Sequence, residues 1–360
     1  MKTLTPYSHQ RGVTLIELMV AMGITMFLVT AASYVYLGTR ETQRSIERTS
    51  SSIETGAFAL QILGRDIMNA GFYPATMPPI STYSPTMRRF DSYPPGIGIP
   101  VRATDWISPA PVYLTGIFGC DGSKFDHVTA TCSATVADAP DSIVINYFTN
   151  ESVAFSNTVG QRRDCTGADV GNDPSNATRQ LNSGPSPATA MNDNLSPQAP
   201  LFVSNRYGLN TTAMEVEKQA ISTQSLACGG NGKSSFGVAD TTAYQPLLAG
   251  IDDMQLTYGV FNTEATRAPD RFYTATEVNA LLTVSIDGVP LAPWARVVAV
   301  RVCLMTRTLG ENPKIADKAG AQRSYLDCAD QTITQAATDQ SIHKRHVQIF
   351  GVRNKLNQGF

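Results

Sequence analysis

The chain has 360 residues and a formal net charge of −2, with 42% hydrophobic and only 16% charged residues. This balance excludes nucleic-acid binding driven by overall charge, and the length allows one large domain or two small ones. No linker separates two cores, so the soluble part reads as one elaborated domain. The low charge, with abundant Ser, Thr, Asn, Gly and Pro, suits a β-rich protein outside the cytoplasm.

The first element is a basic leader, residues 1–12, which contains Lys2 and Arg11 and ends in Gly12. From Leu18 to Leu37 no residue is charged, and that run is long enough to cross a bilayer as a helix of about 20 residues. Glu17 stands close to its start. A carboxylate at bilayer depth costs roughly 2.5–3.5 kcal/mol, so it is there for a partner. A plain membrane anchor has no use for Glu17. An ordinary secretory signal needs a small-residue cleavage site after the apolar run, for which Thr30-Ala31-Ala32 passes.

Gly12-Val13-Thr14-Leu15-Ile16-Glu17 followed by an apolar helix resembles the class III signal of type IV prepilins and pseudopilins. The resemblance implies cleavage by a prepilin peptidase between Gly12 and Val13, N-methylation of Val13, and docking of the subunit into a helical filament through Glu17. Val13 departs from the phenylalanine or methionine usual in that family. Loss of Lys2 and Arg11 with the leader would take the formal charge from −2 to −4.

Beyond Leu37 the sequence turns polar without breaking. Ile46, Ile53, Ala57, Leu60, Leu63, Ile67 and Ala70 recur at helical spacing among Arg40, Glu41, Arg44, Glu47 and Arg48. No proline lies between Val13 and Phe72; Gly71 offers a C-cap and Pro74 prevents continuation. One helix from Val13 to Ala70 would be roughly 85 Å long at about 1.5 Å per residue. Gly23, Gly38, Gly56 and Gly64 are expected to weaken it locally and permit bending. The helix end, Leu60 to Phe72 with Asp66-Ile67 and Ala70-Gly71-Phe72, resembles that of PilW-type minor pilins, and more loosely that of J-type pseudopilins of type II secretion. Arg65 and Asp66 are expected at the rim of the helix–domain contact.

Residues 74–111 read as irregular loop, rich in Pro, Ser, Tyr and Gly. Ser142 to Phe148 is a short buried strand. Residues 160–200 are polar, and Gly167 to Asp173 has the look of a calcium loop without the spacing of an EF-hand. The sequons at Asn176 and Asn210 are discounted, since the prepilin resemblance implies a bacterial cell.

The last third is the most regular. Met254, Leu256, Tyr258 and Val260 alternate with polar residues, and Val298, Val300, Val302 and Leu304 do so as a second strand. A third strand spans 347–354, and Thr276 to Leu282 is a short helix with Thr276 as N-cap. The stretches 248–260 and 297–304 again resemble the PilW family, as does the terminal Val352-Arg353-Asn354.

Six cysteines, Cys120, Cys132, Cys165, Cys228, Cys303 and Cys328, all follow the apolar run, and in an exported chain they read as disulfides. Sequence alone leaves the connectivity open. The expected pairs are Cys120–Cys132 closing a short loop, Cys303–Cys328 tying a strand to its following loop, and Cys165–Cys228 left by elimination. No Cys-x-x-Cys pair, Walker loop, Gly-x-Ser-x-Gly elbow or dinucleotide fingerprint occurs. Of the four histidines, His9 lies in the leader and His127 alone, and His343-Lys344-Arg345-His346 reads as a basic solvated patch. The sequence offers no active site, and no cofactor or metal is implied.

The expected fold is α+β and type IV pilin-like: a long N-terminal α-helix, membrane-spanning in its first half, packed on an antiparallel β-sheet with long disulfide-bearing loops. It divides into leader 1–12, membrane or filament-core helix 13–37, amphipathic helix 38–73 and a periplasmic β-rich domain 74–360. The resemblance implies a minor pilin, held in the inner membrane with its N-terminus cytoplasmic, that helps prime type IV pilus assembly and ends at or near the tip. Its partners would be other minor pilins and major pilin, the prepilin peptidase, the inner-membrane assembly platform and a tip adhesin. The alternatives are a J-type pseudopilin of a type II secretion system and a tip subunit that binds a ligand, adhesive or DNA-capturing.

Overall fold

A computed structural model of the chain describes residues 14–72, 115–126, 131–152, 163–167, 200–216, 218–230, 244–262, 268–286, 289–309, 323–336, 339 and 341–354. A single helix, α1 (Leu15–Asn69), opens the described chain. It begins at Thr14 and runs unbroken because nothing in its sequence removes an amide donor. It ends where Ala70 turns extended and Gly71 takes a left-handed φ of 70°, a conformation that glycine adopts without steric cost.

Fifteen strands follow among the described residues. They are β1 (Ile117–Cys120), β2 (Phe125–Asp126), β3 (Thr131–Cys132), β4 (Ser142–Ser152), β5 (Pro200–Val216), β6 (Gln219–Gly229) and β7 (Gln245–Ala249). Then come β8 (Ile251–Val260), β9 (Arg271–Tyr273), β10 (Val284–Ile286), β11 (Val289–Leu291), β12 (Val297–Arg307), β13 (Ser324–Leu326), β14 (Thr332–Thr334) and β15 (His343–Gly351). A short helix, α2 (Ala275–Ala280), lies between β9 and β10. Two sheets carry the architecture, one in the order β1-β4-β5-β6-β7 and the other β15-β12-β8-β9. Their strand pairs are all antiparallel.

The chain passes from the first sheet to the second at Gly250, whose φ is 86°. Its N–H donates to Gln224 on β6 and its carbonyl accepts from Arg307 on β12, so one residue stitches both sheets together. The main core lies between them and the second half of α1. It is one contiguous cluster containing Leu63 and Ile67 of the helix, Ile145, Tyr207 and Leu226 of the first sheet, and Leu256, Val302 and Phe350 of the second.

Several expectations shift. The buried stripe of α1 holds Leu60, Leu63, Ile67 and Ala70 as expected, but Ile46, Ile53 and Ala57 are exposed. Ser52, Gly56, Ala59 and Gly64 take part in the contact instead, because the sheets meet the helix only from about Ser52 upward. Val298 is half-buried with Phe261 and Leu291, outside the main core; the register of β12 against β8 slips between Val297 and Ala299 and turns it to that side. The N-cap of α2 is Thr274, not Thr276, since Glu277 is then the third residue of a capping box. The last strand begins at His343 rather than 347. The long β5–β6 hairpin was not expected at all.

Candidate assembly surfaces

At the membrane end, the first half of α1 buries nothing. Leu15 to Leu37 is exposed throughout, and the helix is long and apolar enough to cross a membrane. Gly12 and Val13 lie outside the described residues. Glu17 closes a capping box with Thr14, its carboxylate accepting from the Thr14 amide at 2.9 Å and the Thr14 hydroxyl at 2.8 Å. The Glu17 amide donates back to the hydroxyl at 3.4 Å. This arrangement satisfies donors at a helix start that lipid cannot satisfy. The signal for it, Thr-x-x-Glu, lay in the sequence beside the prepilin pattern. The capping box leaves the carboxylate exposed and free to take a cationic partner as well.

The second surface is where α1 carries the head. β15 runs along the helix in the same direction, and four contacts mark the path. Ser52 donates to the Thr306 hydroxyl at 3.0 Å, and that hydroxyl lies 3.1 Å from Nε2 of His346. Gly56 then faces the His346 ring, and a Cβ added there would fall 2.4 Å from Nε2. Gly64 faces the Phe350 ring, with 2.2 Å left for a Cβ. Finally Asn354 donates its side-chain amide to the Met68 carbonyl at 3.1 Å. The two glycines are therefore seats for rings, not bending points.

Arg65 and Asp66 differ in burial although Arg65 Nε lies 3.8 Å from Asp66. Arg65 is exposed, whereas Asp66 is buried and accepts 2.6 Å hydrogen bonds from the Asn205 side-chain amide and the Tyr207 hydroxyl, both on β5. Burial, with Asp66 alongside, pushes the Tyr207 hydroxyl well above its ordinary pKa, which keeps it a neutral donor. Above Asp66 the Gly71 amide donates to Asn146 on β4 at 2.8 Å, and the Asn146 amide donates to the Gly116 carbonyl at 2.7 Å. The helix end is thus tied to β5, β4 and the turn before β1.

His343 and His346 do not form a solvated patch. His346 sits in the Gly56 notch, and burial lowers its pKa. The His343 ring stacks on Tyr325 at 4.4 Å, with Nε2 3.0 Å from Asp339 and Nδ1 3.4 Å from Asp252. Burial lowers the His343 pKa but is outweighed by these two carboxylates, so the net shift is upward. Arg307 holds the other Asp252 oxygen at 3.1 Å. The Ser341 hydroxyl lies 3.1 Å from Nε2 and also against Asp339, so Asp252, His343, Asp339 and Ser341 form one polar row with Arg307 at its end.

Three disulfides brace the head: Cys120–Cys132, Cys165–Cys228 and Cys303–Cys328. The third fastens the β13–β14 hairpin over β12, where Arg345 also reaches the Asp327 carbonyl and Asp330. Among the described residues no group of three or more His, Cys, Asp or Glu side chains is placed to hold a metal ion. Of the stretch 167–173 only Gly167 is described. Asn210 is held inside the fold, receiving Lys124 and donating to the Tyr244 carbonyl at 3.1 Å. His9, His127 and Asn176 lie outside the described residues.

Compared with known families, residues 7–33 match the prokaryotic N-terminal methylation motif and residues 213–354 match the type IV pilus-assembly protein W model. The second span runs from the end of β5 through β15 and includes both strands of the second sheet that flank β12. The helix end at 59–72 lies outside both spans. No curated protein and no solved structure matches the chain.

Proposed function

We propose that this chain, a type IV pilus minor pilin of the PilW type by its two family matches, helps prime pilus assembly and ends at or near the pilus tip. The observation that carries the reading is the pairing of a methylation-motif helix with a pilus-assembly head on one continuous α1. Before assembly the helix anchors the protein in a membrane as a single pass. Cleavage after Gly12 and methylation of Val13 would then precede extraction into the filament, with residues 74–360 outside the inner membrane.

The order of events follows from the geometry. A helix whose apolar half is wholly unburied within its own subunit must be covered by lipid or by other helices. Moving from one cover to the other is what assembly does, and the partners supplying that second cover would be other minor pilins and major pilin. The large head supports an end position, since it is bulky for repetition along a shaft. The match to the pilus-assembly model supports a pilus over a secretion pseudopilus.

Deletion of the subunit is expected to leave few or no surface pili while major pilin still accumulates in the membrane. Complementation with Gly12 changed to a bulky residue should leave an uncut protein, visible by mass spectrometry as a retained leader, and should not restore pili. Mature protein starting at Ser33, after Thr30-Ala31-Ala32, would instead mean ordinary signal peptidase and would remove the pilin reading.

A further inference from the structure

Among the described strands β15 pairs only with β12, so its other side is a sheet edge. The Val352 amide donates to the Val298 carbonyl at 2.8 Å and the Thr308 amide to the Ile342 carbonyl at 3.1 Å. Hydrogen-bonded and non-bonded pairs alternate along an antiparallel ladder. Lys344, His346, Gln348 and Phe350 therefore spend their backbone groups on β12, and Arg345, Val347 and Ile349 turn theirs outward.

Side chains flank that edge on both faces. On the face away from α1, Val347 and Ile349 are 42% and 55% exposed. On the helix side Ile53, Ala57 and Met68 stand a fraction of a turn beyond the Gly56 and Gly64 contacts and are exposed too. A lane beside β15 thus offers unused backbone groups between two apolar borders. Proteins usually blunt such an edge with proline, a bulge or central charge. β15 has no proline, pairs with β12 without a register shift, and keeps Lys344 and Arg345 at its start, with Arg353 just past its end.

Those cations indicate what fits. Lys344 and Arg353 are exposed at opposite ends, and Arg301 lies directly across from Ile349, on a chain whose overall charge is negative. Asp330, the acid facing Arg345, is already paired with it. A second copy of this edge, residues 343–354, contains no acidic residue and so offers nothing to Lys344 or Arg353 in any register.

We infer that the free edge of β15 receives an extended strand from a neighbouring pilus subunit, a strand with alternating apolar residues and acidic residues at its ends. The inference rests on the proposed role in assembly and names the segment that meets it. Main-chain bonds would supply affinity and the two apolar borders register.

The test uses the full chain in cells deleted for it. Val347→Pro and Ile349→Pro each remove an outward amide without touching a bond to β12, whereas Ile349→Thr keeps the amide. Subunit abundance and disulfide oxidation, read on non-reducing immunoblots, report folding. The proline variants are expected to lower pilus number about tenfold and the threonine variant little. Lys344→Glu with Arg353→Glu should lower it as the prolines do. Should a proline variant fail to accumulate, Ile349→Lys, which blocks an edge by charge, takes its place. Normal piliation of these variants where deletion abolishes pili overturns the edge inference. Normal piliation of the deletion strain overturns the priming reading instead. Two further results overturn the edge inference: a detergent-solubilised dimer that the prolines convert to monomer, and binding of a DNA duplex lost in the charge reversal but kept in both prolines.

Discussion

The Tyr207 hydroxyl on β5 donates a 2.6 Å hydrogen bond to Asp66, a carboxylate buried on the domain face of α1. Asp66 holds Asn205 at the same distance, so one helical residue fixes two donors of the first sheet. Asp66→Ala is expected to destabilise the head by about 2–4 kcal/mol, because it strands two buried donors. Asp66→Asn, which keeps an acceptor, should cost less. Urea denaturation of the detergent-solubilised protein, followed by tyrosine fluorescence, measures both.

Glycine-to-alanine changes along α1 should split by position. At Gly23 and Gly38 a Cβ meets nothing within 4 Å, so alanine should stabilise the helix by about 0.5–1 kcal/mol. At Gly64 the added carbon overlaps the buried Phe350 ring, and overpacking of about 1–3 kcal/mol should exceed that gain. Gly56→Ala meets the His346 ring in the same way. Phe350→Leu placed with Gly64→Ala should recover part of the loss, read as the thermal midpoint.

The His343 clamp gives a pH dependence of definite sign. A histidine with a raised folded pKa adds stability that is complete below its unfolded value, near 6.5, and is lost as pH climbs through the folded value. Burial raises the Asp339 pKa, but its bonds from Ser341 and His343 outweigh that and hold it at about 2. Its contribution is therefore present above the unfolded value of 3.8 and lost as pH falls toward 2. Anchorage of β13–β14 should be greatest between about pH 4 and 6.5 and weaken as pH rises through the raised folded value of His343. Asp252→Asn should flatten the alkaline limb in thermal unfolding against pH.

Removing Cys303–Cys328 should loosen the β13–β14 hairpin first. The bond closes a separation of 25 residues, and its loss should cost about 2–4 kcal/mol. Limited proteolysis of the Cys303→Ala, Cys328→Ala protein should cut within 323–336 at protease levels that leave the native protein whole.

Glu17 caps α1, and the docking role proposed for its charge can be separated from that cap. Glutamine at this position keeps a capping acceptor and drops the charge. If the charge sets register between subunits, Glu17→Gln should fail like Glu17→Ala, with export, cleavage and head folding normal but pilus number reduced. Restoration of pili by glutamine alone would assign Glu17 to the cap.

Much of this was legible in the residues, for reasons of period. β8 shows a clean two-residue alternation from Met254 to Val260, and α1 lacks any helix breaker from Leu15 to Asn69. The strand β5 was not legible, because Ser204, Asn205 and Arg206 are buried there and interrupt the apolar pattern with polar side chains. Asp66 for Asn205 and the Tyr244 ring under Arg206 come from distant sequence and leave no local trace. His343 was misread for the same reason: its cationic neighbours Lys344 and Arg345 are adjacent, whereas Asp252 arrives from another strand. Gly56 and Gly64 signalled weakness in isolation and mean contact once β15 lies beside them.

The shared direction of α1 and β15 has a mechanical consequence. A pull along α1 slides it lengthwise past β15 and the strands beside it, so the contacts of Ser52 with β12, of Gly56, Gly64 and Met68 with the β15 segment, and of Asp66 with β5 are all loaded at once. Contacts loaded together in shear must break together, whereas a peeled interface surrenders them one by one. A pulling force would then be borne by the whole seam, and the lifetime of the head on its helix would be set by an unfolding rate.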